Sequence, residues 1–277
     1  MSGGATKAVT QTIAMPAPTK GNDRILARAV DWNLSKSPLS EDIVQGALSD
    51  CPIGAILAAL ANTPTGKTRI NNLITEYKGA PVKTTFSKDV LDDLNSRLND
   101  PDDRRPEKEF LSQRYFSVNL ASSVIVSDVF YIKYTDGPDV DMFFMGSSKK
   151  ALWPCVIEKA FATKIGGYDD LDDDKKYTAN YFWKILVGAD PQVLSIDQDT
   201  DLSKISAIAK AATQVPAIGA SKFGSALAAD PDPHGFAILG IQGSKVQLYD
   251  PHGNKLPASL EDFRKNFEYI FSGRPRS

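Results

Sequence analysis

The chain has few of the residues that build metal centres and disulfide frameworks. Among its 277 residues are two cysteines, Cys51 and Cys155, and two histidines, His234 and His252. Two cysteines so far apart do not form a disulfide framework, which favours a reducing compartment. The same scarcity excludes a zinc cluster built from several cysteines and histidines. Any chemistry of sulfur or imidazole therefore depends on these four side chains.

An excess of one charge and long apolar runs are lacking as well. Lys and Arg total 32 against 34 Asp and Glu, a formal net charge of −2, which favours neither nucleic acid nor a membrane as partner. No apolar run reaches the length of a membrane span, and the first residues lack a secretory pattern. The sequence predicts a cytoplasmic protein, or one delivered by a secretion system that reads no cleavable signal.

Composition divides the chain into a tail and two parts. Residues 1–22 are rich in Ser, Gly, Ala, Thr and Pro and predict a mobile tail. Residues 23–187 carry most of the helical patterns, whereas residues 188–277 carry short runs typical of strands. The sequence predicts an α+β protein in which a helix-rich and a β-rich subdomain meet at a cleft, with the seam near Gly188.

The apolar patterns predict individual elements. Residues 52–61 carry no charge and predict a buried helix, and residues 147–165 predict a second helix from which Glu158, Lys159 and Lys164 face away. The other predicted elements are helices at 23–34, 68–77 and 201–213, two strands within 115–134, strands at 141–145, 215–221, 234–242 and 245–249, and a closing helix or strand at 260–271.

Cys51 stands at the predicted start of the buried helix. Pro52 suits the first helical position, because its missing N–H costs nothing there. Unpaired backbone N–H groups and the helix dipole at that end lower the pKa of a thiol and favour the nucleophilic thiolate. Gln45 lies shortly upstream and can direct its side-chain amide to the same place as an oxyanion donor. The alternative is a buried structural thiol, which is how we interpret Cys155.

His234 and Asp250 flank a predicted hairpin. His234 opens one strand, Asp250 ends the next, and Gly243-Ser244 forms the tight turn between them. The two side chains then lie at the same end of the hairpin, where Asp250 can accept a hydrogen bond from the imidazole and fix its tautomer. His234 would act as general base toward Cys51 and then as general acid to the leaving amine. Alternatively, both residues belong to ordinary strand ends and turns.

Five segments, in chain order, resemble the calpain family of cysteine proteases. The resemblance covers about residues 45–271. The family has Gln-Gly and Gly-Asp-Cys-Trp before an Ala/Leu-rich helix, LWP with EKAYAK and GSY, His-Ala-Tyr, Asn-Pro-Trp-Gly and a closing amphipathic segment. The similar segments here are QGALSDC (45–51), LWP (152–154) with EKAFA (158–162) and GGY (166–168), HGFA (234–237), DPHG (250–253) and SLEDFRKNF (259–267).

The resemblance implies a papain-like core with Cys51 as nucleophile, His234 as base and Gln45 in the oxyanion hole. Asp250 stands where the family has Asn and can still orient an imidazole. Pro52 and His252 replace two tryptophans of the family pattern, and Ser49 replaces a glycine.

These residues together predict a calpain-like cysteine endopeptidase made of the catalytic core alone, such as a bacterial effector or toxin. The chemistry requires no cofactor, and calcium binding stays open because no ligand set carries over from the family. The expected partners are a protein substrate and either a delivery machinery or an inhibitor, with no nucleic acid and no membrane. Two alternatives stay open: a papain-fold glutamine deamidase or acyltransferase, and an inactive calpain-like binding module.

Overall fold

The computed structural model describes residues 11–15, 24–28, 34, 37–46, 48–85, 113–133, 140–141, 151–171, 178–228 and 232–276. Over these residues the chain is a mixed α+β protein. No helix among them is long and apolar enough to cross a membrane. Most of the predicted tail, the turn after the 115–134 strands, and the start of the predicted 147–165 helix lie outside the described residues.

The helices of the described residues are α1 (Cys51–Ala61), α2 (Pro64–Leu73), α3 (Trp153–Ile165), α4 (Tyr168–Leu171), α5 (Ala179–Val187), α6 (Leu202–Ala211) and α7 (Leu260–Asn266), with one 3₁₀ turn at Ser40–Asp42. The strands are β1 (Gln11–Ala14), β2 (Arg24–Arg28), β3 (Ile74–Glu76), β4 (Val82–Thr85), β5 (Tyr115–Asn119), β6 (Ser123–Ser127), β7 (Val129–Lys133), β8 (Val140–Asp141), β9 (Gln192–Ser195), β10 (Ala217–Ser221), β11 (Gly235–Gln242), β12 (Lys245–Asp250), β13 (Asn254–Ser259) and β14 (Phe267–Ser272).

Helix α1 is the buried helix that the uncharged stretch predicts. Asp50 is its N-cap residue, Pro52 occupies its first turn, and all residues from Ile53 to Ala61 are buried. The helix packs against α2 and α5 on one side and against β11 on the other. Because it has no polar face, α1 is stable only when surrounded by protein. Its first turn is therefore held in a fixed position beside the sheet.

The largest sheet is antiparallel, with the strand order β13-β12-β11-β10-β14-β9. Its β11–β12 hairpin turns at Gly243, whose φ of 60° lies in the left-handed region that glycine adopts without strain. The predicted hairpin is thus confirmed. Its open end carries Asp250 directly opposite the start of β11.

Apolar side chains form two clusters. One surrounds α1 and includes Ile218, Ala237 and Tyr249 from the large sheet. The other lies between that sheet and helices α6 and α7, where Phe263 and Phe267 are fully buried. The first cluster therefore joins residues from both sides of the predicted seam at Gly188, and the division into two subdomains stays a prediction.

Several short elements differ from the sequence expectations. Residues 24–28 form strand β2, paired with β7, where a helix was expected. The stretch 115–134 holds three strands, β5 to β7, where two were expected, and they belong to two separate sheets. Part of the predicted tail, residues 11–14, pairs with β4 as strand β1. Strands β1, β2 and β7 each pair with a segment distant in sequence, which local patterns do not reveal.

The helix expected at 68–77 is also displaced. The Thr63 side chain accepts a hydrogen bond from the Gly66 N–H at 3.0 Å, and Pro64 takes the first helical position. These two features start α2 at Pro64. The chain then leaves the helix at Ile74, whose strand β3 pairs with β5.

Helix α3 corrects the prediction for two charged side chains. Lys164 is exposed as expected, but Glu158 and Lys159 are buried. The Lys159 ammonium donates hydrogen bonds to the Ser127 carbonyl at 3.0 Å, to Ser127 Oγ at 2.9 Å and to the Val129 carbonyl at 2.5 Å. It thus joins α3 to the β6–β7 segment. The helical period alone predicts that Lys159 faces solvent, because it gives no sign of acceptors on strands distant in sequence.

Candidate functional site

A cavity of about 440 Å³ opens between the start of α1 and the strands β10 and β11. It is lined by Gln45, Cys51, His234 and His252, together with an apolar wall. Three of the four predicted site residues therefore reach the same cavity, from loops and strands almost two hundred positions apart. Asp250, the fourth, is buried behind His234.

Cys51 occupies the first position of α1 and is half-buried. Close packing of α1 against β11 brings it to the cavity. A Cβ atom added to Gly235 would lie 3.4 Å from the Cys51 carbonyl oxygen and 3.3 Å from the Ala55 Cβ. Glycine at this position therefore allows the strand that follows His234 to approach the first turn of the helix. Cys155, in contrast, is completely buried within α3, as predicted.

His234 is held on both sides. Its backbone N–H donates to Ser221 Oγ at 2.8 Å, and its carbonyl accepts from the Ser221 N–H at 2.8 Å. The ring Nε2 lies 2.9 Å from Asp250 Oδ1, the contact that the hairpin predicts. Because an ionised carboxylate only accepts, Nε2 carries the proton in the neutral ring. Nδ1 is then left as the basic nitrogen.

Asp250 accepts three hydrogen bonds at a single oxygen. Besides His234 Nε2, its Oδ1 accepts from the His252 backbone N–H at 2.9 Å and lies 3.0 Å from His252 Nδ1. Burial alone would raise the pKa of this carboxyl. The hydrogen bonds from His234 and His252 outweigh burial and hold the pKa well below its ordinary value. Asp250 is therefore ionised at neutral pH and fixes the imidazole of His234.

His252 is a site residue that the sequence reasoning did not select. The turn after β12 carries it back over Asp250: Gly253 adopts a left-handed φ of 97°, and its N–H donates to the Asp250 carbonyl at 2.8 Å. The rings of His252 and His234 stack with centroids 5.2 Å apart and planes at 17°. The tight Asp-Pro-His-Gly turn was the available signal, because it places the third residue beside the first.

Gln45 lines the cavity with one amide hydrogen already engaged. Its Nε2 donates to the Leu48 carbonyl at 2.5 Å, so an oxyanion would be bound by the second amide hydrogen. The backbone N–H of Gln45 donates to the Pro251 carbonyl at 2.7 Å. Nearby, the Tyr249 hydroxyl donates to the Ile43 carbonyl at 2.5 Å. The loop that precedes Cys51 is therefore fixed to the strand and turn that carry Asp250 and His252.

Three ligand atoms of the site also form a group with metal-binding chemistry. One atom each of His234, Asp250 and His252 lies within 4.8 Å of the others. Imidazole nitrogens with a carboxylate oxygen suit zinc and similar transition metals, whereas calcium prefers oxygen ligands alone.

No protein-family model matches the chain, and no curated protein matches it either. The resemblance of the five segments to the calpain family therefore stays a prediction.

Proposed function

We propose that this protein is a cysteine endopeptidase with a papain-like core, similar to the catalytic core of calpains. The observation that supports this function best is the 2.9 Å contact between His234 Nε2 and Asp250 Oδ1, at the edge of a cavity that Cys51 also lines. A thiol at a helix N-terminus, an imidazole and a buried carboxylate are the groups that thiol proteases use.

The proposed reaction begins when the Cys51 thiol passes its proton to His234 Nδ1 and becomes a thiolate. The sulfur attacks a peptide carbonyl carbon, and the backbone N–H of Cys51 and the Gln45 amide stabilise the oxyanion. When the tetrahedral intermediate collapses, His234 donates its proton to the leaving amine and a thioester remains on Cys51. Water, deprotonated by His234, then attacks the thioester and releases a carboxylic acid and the free thiol.

The cavity wall supports a protein substrate. Leu171, Phe182 and Ile218 form an apolar side next to the polar edge that Cys51 and His234 provide. Such a site buries an apolar side chain of a polypeptide while its carbonyl lies against the reactive groups.

The reactivity of Cys51 tests the proposal directly. We expect iodoacetamide to alkylate Cys51 in the wild type at least about tenfold faster than in His234→Ala, because the imidazole stabilises the thiolate. Intact-mass and peptide-mass analysis over time measures the rate. Cys155 serves as the internal control and stays unlabelled in the folded protein, since it is completely buried.

The same samples test catalysis. Incubated with a protein mixture, the wild type is expected to produce new chain termini that Cys51→Ala does not produce. Equal alkylation of Cys51 in the wild type and His234→Ala would refute the catalytic pair and favour a binding module. Intact substrates heavier by about one dalton per modified glutamine would identify a deamidase, because the acyl-enzyme chemistry is shared.

The role of Gln45 has its own test. We expect Gln45→Ala to reduce kcat by about 10²–10³-fold with little change in KM, because an oxyanion donor acts mainly in the transition state. Gln247→Ala is the matched control: this half-buried side chain donates to the Lys245 carbonyl on its own strand and is not among the residues that line the cavity. A Gln45→Ala protein with the parent kcat would exclude the side chain from the oxyanion hole.

A further inference from the structure

We propose that His234, Asp250 and His252 form a binding site for Zn²⁺, and that bound zinc withdraws His234 from catalysis. The binding half of this inference depends only on the three side chains. The inhibitory half rests on the proposed cysteine-protease function.

The two distances from the carboxylate oxygen to the nitrogens are close to those between ligands of a zinc site. Asp250 Oδ1 lies 2.9 Å from His234 Nε2 and 3.0 Å from His252 Nδ1. Ligand atoms about 2.0–2.2 Å from a tetrahedral zinc ion are about 3.3–3.5 Å apart. Each nitrogen therefore has to move a few tenths of an ångström from the carboxylate oxygen, and the two nitrogens, which lie within 4.8 Å of each other, have to approach by up to about 1.4 Å. The ion would replace the two hydrogens that now lie between these atoms.

The surroundings allow that adjustment. The His234 and Asp250 side chains are largely buried, so two of the ligands are held in place, while the His252 side chain is 43% exposed. His252 lies on the turn between β12 and β13, where the ring can shift without disturbing a helix or strand. Both histidines also line the cavity, which gives an ion a path from solvent.

The chemistry of the donors selects the metal. Two imidazole nitrogens and one carboxylate oxygen leave a fourth position for water, the set that zinc adopts at accessible sites. Calcium and magnesium prefer oxygen ligands in larger number. The scarcity of cysteine and histidine excludes a Cys/His cluster, but it does not exclude a site in which a carboxylate supplies the third ligand.

Zinc at this site would disable His234 by fixing the wrong tautomer. Coordination through Nε2 requires a lone pair on that nitrogen, so the ring proton moves, by way of solvent, to Nδ1. Nδ1 is the atom that has to accept the Cys51 proton in the proposed reaction. The ion also takes the place of the hydrogen bond from His234 Nε2 to Asp250. A chelator that removes zinc would restore both.

Zinc affinity, measured by competition with a chromophoric chelator, tests the binding half without any activity assay. We expect the wild type to bind one Zn²⁺ per chain, and His252→Asn to bind at least about tenfold more weakly. Asparagine can still donate a hydrogen bond to Asp250, but its amide nitrogen has no lone pair for a metal. Cys51→Ser is expected to keep the wild-type affinity within about threefold, since the thiolate is not a ligand.

The site would be overturned by the absence of stoichiometric zinc in the wild type, by wild-type affinity in His252→Asn, or by displacement of zinc by equimolar calcium. Loss of binding in Cys51→Ser equal to that in His252→Asn would assign the ion to the thiolate and overturn it as well.

Activity separates this inference from the function itself. With a peptidase substrate, zinc is expected to stop turnover of the wild type reversibly. The inhibition constant for zinc should be at least about tenfold higher in His252→Asn, because that variant binds the ion more weakly. Zinc binding without any peptidase activity would refute the proposed function and leave the site intact. Peptidase activity that zinc leaves unchanged would refute the inhibitory half alone.

Discussion

Asp250→Ala is expected to lower kcat/KM for peptide cleavage by about 10²–10⁴-fold, whereas Asp250→Asn retains activity within about tenfold. Alanine leaves His234 Nε2 without its acceptor, so the ring loses both orientation and tautomer. In the asparagine variant, three N–H groups still point at the position of Oδ1: the His234 ring, the His252 ring and the His252 backbone. They hold the amide carbonyl toward the histidines and its NH₂ away.

Asp190→Ala provides the matched control for this pair of variants. Asp190 is exposed, pairs with Lys184 on the surface and does not line the cavity, so its removal should leave kcat/KM unchanged. Thermal unfolding of all three variants shows whether they fold. If asparagine were as damaging as alanine, the negative charge of Asp250 would be essential and the role of hydrogen-bond acceptor would be insufficient.

Lys159 is expected to make the stability of the fold depend on pH. Burial lowers the pKa of this side chain from 10.5 to about 7, although the negative charge of Asp128 acts to raise it. Between these values the unfolded chain binds a proton that the folded chain has released, so the free energy of unfolding rises with pH. Below about pH 7 the folded protein carries the buried charge, and its free energy of unfolding is reduced by the whole cost of burying it. This reduction disappears as the pH rises toward 10.5, where the unfolded chain also loses the proton. The slope can reach about 1.4 kcal/mol per pH unit.

Denaturant unfolding of the wild type and Lys159→Met from pH 6 to 10 measures this effect. Methionine fills similar space without a titratable group, so the wild type should gain stability relative to the variant as the pH rises above 7. Lys164→Met, on the exposed face of the same helix, should follow the wild-type curve. Parallel curves for the wild type and Lys159→Met would show that the folded protein keeps Lys159 protonated throughout.

Local patterns predicted the parts of the site whose geometry is local. The short strand-like runs at 234–242 and 245–249, with the Gly243-Ser244 turn between them, place His234 and Asp250 at one end of a hairpin. The uncharged stretch after Cys51 predicts a helix buried on all sides, and its first turn lies at the cavity.

Two of the features that were missed depend on partners distant in sequence. Lys159 finds its three acceptors at Ser127 and Val129, which no helical period could indicate. Residues 24–28 form a strand only because β7 is available to pair with them. His252, which stands where the family has a tryptophan, differs from these two because its contact with Asp250 depends on the backbone of one local turn.

The apolar cluster around α1 has a consequence for how the chain can be divided. The cluster includes Ile218, Ala237 and Tyr249 from the large sheet. The Tyr249 hydroxyl also donates a hydrogen bond to the Ile43 carbonyl, in the loop that precedes Cys51. Two polypeptides made by cutting the chain near residue 188 would each expose one side of this cluster to water. The two fragments would form a complete cleft only if they associated by fragment complementation. The Cys51 thiol and the His234 imidazole could therefore be produced on separate chains and brought together by mixing the chains.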